Sequence, residues 1–171
     1  LSSTQTIPDV AIANVVPSAT QVFNGQAVNI TVIVRNEGNS TETFVVTTYA
    51  NTTIVGNQTV SSLTPTNTKT IFFIWDTTNA AKGNYTIKAE AQPVSGETET
   101  ADNSYTDGTV KVKLQGDING DQSVDAFDLA IFGRAWGSNV GDPQYDPLCD
   151  FNHDGAVNAW DLAVLARNYG Q

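Results

Sequence analysis

Several things are scarce in this sequence at once. Among 171 residues there is one cysteine, Cys149, and no methionine. A single thiol excludes an intrachain disulfide, and Cys149 reads as an unpaired thiol beside a loop. Without methionine the chain cannot begin at a start codon, so it is expected to be a piece of a longer protein. Basic residues are few: eight Lys and Arg stand against eighteen Asp and Glu, for a net charge of −10. Nucleic-acid binding needs clustered Lys and Arg to neutralise phosphates, so no nucleic-acid partner is expected. No apolar run approaches the roughly 20 residues that span a bilayer, which argues against membrane insertion. One histidine is present, His153, and no nucleophile stands in a recognisable pairing with a base. No catalytic residue is assigned, and the chain is not expected to be an enzyme.

The charge that is present is unevenly spread. Residues 1–113 hold nine acids and six bases, whereas residues 114–171 hold nine acids and two bases. Every acid in the second part is Asp. Such a tail is either disordered or awaits a cation. The chain therefore reads as two domains, 1–113 and 114–171.

From about Asp9 to Lys113 the text is rich in Thr, Val, Asn and Ile. In "AVNITVIVRN", Val28, Ile30, Val32 and Val34 face one way, with Asn29 and Thr31 opposite. In "NYTIKAEAQ", Tyr85, Ile87, Ala89 and Ala91 oppose Thr86, Lys88 and Glu90. A period of two marks half-buried strands. "TFVVTTY", "TIFFIW", "DVAIANV" and "GTVKVKL" are further candidates, the second apolar on both faces. Turn chemistry separates them in "FNGQ", "NEGNS", "NAAKGN" and "PVSGE". About seven short strands predict an immunoglobulin-like sandwich with no disulfide. The aromatics Tyr49, Phe72, Phe73, Trp75 and Tyr85 all lie in strand-like runs and are expected in the core. The segments "PDVAIANVVPS", "GQAVNITVIVRNEGNSTETFVV" and "ETETADNSY" resemble the CARDB-type cell-adhesion-related sandwich. That resemblance implies a spacer or adhesion role in a surface or secreted protein.

The second part contains "DINGDQSVDAFD", Asp117 to Asp128, and a near copy, "DFNHDGAVNAWD", Asp150 to Asp161, at a constant offset of 33 residues. This is an internal duplication of a loop and a helix. Calcium wants six to eight oxygens, and a twelve-residue loop supplies them from places 1, 3, 5, 7, 9 and 12. Those places are Asp117, Asn119, Asp121, Ser123, Asp125 and Asp128 in the first loop. In the second they are Asp150, Asn152, Asp154, Ala156, Asn158 and Asp161. Place 7 acts through its backbone carbonyl, and Val124 and Val157 at place 8 should anchor each loop to the core. Two calcium ions are expected, with magnesium the lesser alternative because it keeps its waters. Place 6 requires a sharp turn and is Gly155 in the second loop but Gln122 in the first. Strain at Gln122 predicts a weaker first site.

A helix should follow each loop, from "DLAIFGRAW" and "DLAVLARNY", with Leu129, Ile131, Phe132, Leu162, Val164 and Leu165 available for packing. "GSNVGDPQYDPL" between them reads as a loop with at most a short helix. No helix precedes either loop, so the second part is a small all-α module of two half EF-hands. Duplicated loops, Asp at place 12, no entering helix, and "DLA" followed by Arg together resemble a dockerin. The resemblance covers about Gly116 to Gly170. It implies docking onto a cohesin-type protein module, which attaches a secreted protein to a scaffold or cell surface. By family pattern the partner-facing residues are Ala126, Phe127, Gly133 and Arg134 in the first unit. In the second they are Ala159, Trp160, Ala166 and Arg167. Places 10 and 11 are small or hydroxylated in many bacterial dockerins, but here they are Ala-Phe and Ala-Trp, which implies a different choice of partner. An aromatic ring beside an Arg also has the composition of an interface hot spot; packing of both rings inward on the sister helix is the alternative.

The expectation is thus an extracellular or cell-surface chain with a calcium-dependent docking module behind a β-sandwich spacer. The competing expectation is an adhesion or carbohydrate-binding protein in which calcium is purely structural, with polysaccharide the less favoured partner.

Overall fold

The computed structural model describes residues 5–171. Eight strands precede two helices: β1 (Val10–Pro17), β2 (Gln21–Phe23), β3 (Ala27–Asn36), β4 (Glu42–Ala50), β5 (Thr53–Leu63), β6 (Thr68–Asp76), β7 (Gly83–Ala91), β8 (Ser104–Lys113), α1 (Ala126–Ala135) and α2 (Ala159–Asn168). Two compact units result. One runs to Asn79 and includes Asn84–Lys111; the other joins Ala80–Gly83 to Val112–Gln171. No helix among the described residues is long and apolar enough to cross a membrane.

In the first unit the strands form two sheets, ordered β1-β3-β6 and β2-β8-β7-β4-β5. Antiparallel pairing of β3 with β6 sets Val28 opposite Trp75 and Ile30 opposite Phe73. The alternation read from the sequence becomes a core: Val28, Ile30, Val32 and Val34 are fully buried, and Val46, Val60, Ile87, Ala89 and Val110 join them. Fully burying one such branched side chain is worth about 1.5–3 kcal/mol, so this apolar face dominates the unit's stability. Asn36 is the polar exception. Its amide donates to the carbonyls of Ser40 and Leu63, both at 2.7 Å, and its Oδ1 accepts from Gly38 N at 3.0 Å. A buried amide with these partners carries little penalty. Gly38 itself is required, because a Cβ there would collide with the backbone of Ile7 and Asp9.

Two expectations for this unit need correction. Trp75 and Phe73 are core residues, and Tyr49 and Tyr85 are half-buried, but Phe72 and Ile74 are 62% and 68% exposed. β6 is an edge strand whose outer face is bare, so its apolar run is not buried on both sides. β5 was not among the expected strands. Its sequence, "TIVGNQTVSSL", is polar with an interior glycine and gives little period-two signal. It is an edge strand of the five-stranded sheet, held by pairing to β4.

The second unit is built on Ile118, Val124, Phe132, Ala135, Cys149, Val157 and Leu165, all buried. Cys149 is unpaired and directly precedes the second loop, as expected, but it is fully buried, and burial pushes its thiol up to about 12. Leu129 is 43% exposed and leaves this core, whereas Ile131 and Leu162 pack partly against it. The segment between the helices contains turns and one bridge, Asn139 to Ala156, and no helix.

Candidate metal centre and docking face

Each loop turns on its own side chains. In the first, Asp117 accepts from Gly120 N at 2.8 Å and Gln122 N at 3.1 Å, one at each oxygen. Asn119 Oδ1 accepts from Asp121 N, and Asp121 Oδ1 accepts from Ser123 N, both at 2.9 Å. Asp128 reaches back to Ile118 N at 2.7 Å and Asn119 N at 3.0 Å. The second loop repeats the scheme. Asp150 accepts from Asp154 N and Gly155 N, Asn152 from Asp154 N, Asp154 from Ala156 N, and Asp161 from Phe151 N and Asn152 N. Side chains that bond their own loop backbone favour this turn over helix or strand.

The helix starts are set by the same residues. Asp125 and Asn158 at place 9 are N-caps, accepting from Phe127 N and Trp160 N at 2.8 and 2.9 Å. Asp128 and Asp161 complete capping boxes by accepting from the backbone N–H of those caps. One Asp therefore closes the loop, caps the helix and sits favourably at the positive end of its dipole. After each helix a glycine takes a left-handed conformation, Gly137 at φ +78 and Gly170 at φ +82, as a C-cap requires.

Left-handed conformations also occur inside the loops. Gln122 has φ +76, matching Gly155 at +87, and His153 has φ +60, matching Gly120 at +79. Each loop thus carries one side-chain-bearing residue where glycine is preferred, and one glycine. The strain expected at Gln122 is present, but an equal one stands at place 4 of the second loop.

The two loop–helix halves of the second unit exchange backbone hydrogen bonds crosswise. Val157 N donates to Ser138 O, and Gly137 N to Val157 O, both at 2.9 Å. Correspondingly, Gly170 N donates to Val124 O at 2.8 Å and Val124 N to Gln171 O at 3.4 Å. Place 8 of each loop pairs with the segment leaving the other helix. Residues 33 apart play equivalent parts, which is the pattern of a pseudo-twofold.

Do the residues suit a cation? Asp117, Asp128, Asp150 and Asp161 are 0–3% exposed. The two ion pairs found among the described residues, Arg35–Glu37 and Lys88–Glu90, lie elsewhere. Four buried carboxylates without a positive partner are costly unless an ion joins them. A carboxylate has about four acceptor sites, so those of Asp117 and Asp150 retain lone pairs beyond their backbone bonds. Among the described residues no three carboxylate, imidazole or thiol groups form a cage by themselves. The amides of Asn119 and Asn152 and the carbonyls at place 7 would have to complete it. An all-oxygen donor set of this kind suits calcium. Tyr145 adds an asymmetry. Its hydroxyl donates to Asp150 Oδ2 at 2.8 Å, and that bond, with burial, raises the phenol to about 12. Burial would push the Asp150 carboxyl up, but donation from Tyr145 and the backbone N–H groups of Gly155, Asp154 and His153 brings it below the usual range.

The surface of this unit is aromatic. Phe127 is 71% and Trp160 75% exposed, so the inward packing considered as an alternative does not occur. Ala126, Gly133, Arg134, Ala159, Ala166 and Arg167 are exposed as well. Trp136 and Tyr169, each 49% exposed, end α1 and α2 at equivalent positions and were not singled out in the sequence. Their offset of 33 was the available signal.

A β-sandwich followed by a duplicated loop–helix unit with buried acids and bare aromatics defines two non-catalytic modules, the second a calcium-dependent docking unit. The chain belongs to the CARDB family, whose model matches residues 7–107, and residues 115–168 match the Dockerin type I domain. Both modules are typical of secreted or cell-surface proteins. The chain is similar to the CARDB domain of the PF1109 protein from Pyrococcus furiosus, solved in complex with di-metal ions. The identity is 28% and the TM-score 0.54, covering 66% of this chain and 99% of that one. It is also similar to a domain of a Methanosarcina acetivorans protein named for the cell surface, at 25% identity and TM-score 0.50, covering 62% and 92%. No curated protein matches the chain.

Proposed function

We propose that residues 114–171 bind a cohesin-type module in the presence of calcium, and that residues 1–113 act as the spacer behind which this docking unit is carried. Such an arrangement attaches a larger secreted protein to a scaffold or cell surface. Two calcium ions are held, one by Asp117, Asn119, Asp121, Ser123, Asp125 and Asp128. The other is held by Asp150, Asn152, Asp154, Ala156, Asn158 and Asp161. Ala126, Phe127, Gly133 and Arg134, with Ala159, Trp160, Ala166 and Arg167, make the contact surface.

The supporting observation is the division of labour within each loop. The acids at places 1 and 12 are buried, while the ring at place 11, one residue from the buried place-12 Asp, is at least 71% exposed. An ion would fix the loop, and a fixed loop would hold the ring without further ordering cost on binding. Titration calorimetry against a panel of cohesin modules, in calcium and in EGTA, tests this. Binding should occur with at least one cohesin in calcium and vanish in EGTA. Binding that survives EGTA, or binding to polysaccharide alone, would leave calcium a structural role only.

A further inference from the structure

We infer that the β-sandwich carries its own site for a hard divalent cation such as calcium, formed by Asp9, Asp102 and Asn103 and separate from the duplicated loops. Among the described residues, four buried side-chain oxygens or nitrogens lack a hydrogen-bond partner. Three of the four are Asp9 Oδ1, Asp102 Oδ1 and Asn103 Oδ1, and they belong to one neighbourhood.

Glu97 defines that neighbourhood. Its Oε1 accepts from Val10 N at 2.8 Å, and its Oε2 accepts from Val94 N at 2.8 Å and Asn103 Nδ2 at 3.3 Å. Glu97 thereby ties the residue after Asp9 to the residue after Asp102. The backbone closes the same gap, with Ile12 N donating to Asp102 O at 2.9 Å. The nearby donors are spent: Glu37 N and Gly38 N go to the Asp9 carbonyl, and Asn103 Nδ2 is committed to Glu97. Asn103 is only 5% exposed, and its bond to Glu97 fixes which end of the amide is oxygen. Turning the amide over would set its oxygen against the Glu97 carboxylate. Its oxygen is therefore buried, without a donor, within an acidic cluster.

Charge supports the same reading. Burial first pushes both Asp9 and Asp102 above the ordinary range; the Asp102 carboxylate adds to the shift of Asp9, a bond from its own backbone N–H partly offsets that of Asp102, and Glu97, Glu37 and Glu99 raise both. Arg35 is engaged with Glu37 at 3.3 Å. Two carboxylate oxygens and one amide oxygen, with no sulfur or imidazole, suit a hard ion whose shell is completed by water or backbone carbonyls.

The test uses the whole chain. Native mass spectrometry at saturating calcium counts the ions bound by the wild type and by Asp9→Asn/Asp102→Asn. The variant should bind one ion fewer. In a calcium titration followed by NMR, the Asn103 side-chain amide should shift in the wild type and stay still in the variant. In EGTA the variant should melt at or above the wild-type temperature, because two like charges are gone. Asp102→Asn alone serves if the double variant does not fold. An unchanged ion count, or an Asn103 amide indifferent to calcium, overturns the inference. Cohesin docking reads out the loops and not this site, so either reading can fail without the other.

Discussion

At the residue scale, the question is what each unusual side chain contributes. Phe127 and Trp160 leave most of their surface in water, where an aromatic gains nothing from burial. Truncating a central aromatic anchor costs at least about 2 kcal/mol of binding. Phe127→Ala and Trp160→Ala are each expected to weaken docking by roughly 30-fold or more, without altering helicity. Calorimetry paired with circular dichroism checks both parts. Unequal losses would reveal a preferred orientation, since the crosswise bonding offers a partner two similar faces. Gln122 and His153 carry the loop strain. A left-handed backbone costs a side-chain-bearing residue about 1–2 kcal/mol, and the added freedom of unfolded glycine offsets roughly 0.5–1 of that. Gln122→Gly and His153→Gly should each stabilise the second unit slightly and by similar amounts in thermal melts. A gain at Gln122 alone would restore the ranking of the loops that its place-6 position suggested.

At the element scale, each helix depends on the loop before it. The N-cap oxygen of Asp125 or Asn158 satisfies a backbone donor that has no partner within the helix. Asp125→Ala and Asn158→Ala should each cost about 1 kcal/mol, measured by denaturant unfolding in calcium. Gly116 is the point where chain meets chain. A Cβ there would stand 3.0 Å from Val124 Cγ1 and 3.3 Å from the Leu165 Cα, at φ +100. Gly116→Ala is therefore expected to destabilise the second unit more than either cap substitution. The strands were legible wherever burial alternates, as in β3, whose valines and isoleucine repeat every second residue. β5 escaped because an edge strand with few buried side chains leaves no period to read.

At the scale of the whole molecule, two units of different character share one chain. The sandwich has an extensive apolar core, whereas the second unit has a core of seven buried apolar residues together with nine Asp, four of these acids buried. Units this small seldom fold on their core alone, and ion binding contributes stability by mass action. EGTA should remove the helical signal and docking together and leave the β signal in place. Cys149 reports on the same event. Its buried thiol should resist a disulfide reagent in calcium and react in EGTA, because access follows unfolding of the core around it. Retained helicity in excess chelator would show that the second unit folds without an ion.

What the sequence determined by itself is what depends on spacing along the chain. Ligand places within twelve residues, a repeat at 33, cap residues beside their helices and alternating valines are all local, and local geometry follows from φ, ψ and side-chain reach. Only the tertiary structure decided what depends on distant residues meeting. It buried Cys149, bared Phe72 and Ile74 on an edge strand, and crossed the backbone of Val124 with Gly170. It also brought Asp9, near the start of the first strand, into the surroundings of Asp102 and Asn103 at the start of the last. No periodicity links residues so far apart in sequence; sheet pairing and the electrostatics of a shared buried space do.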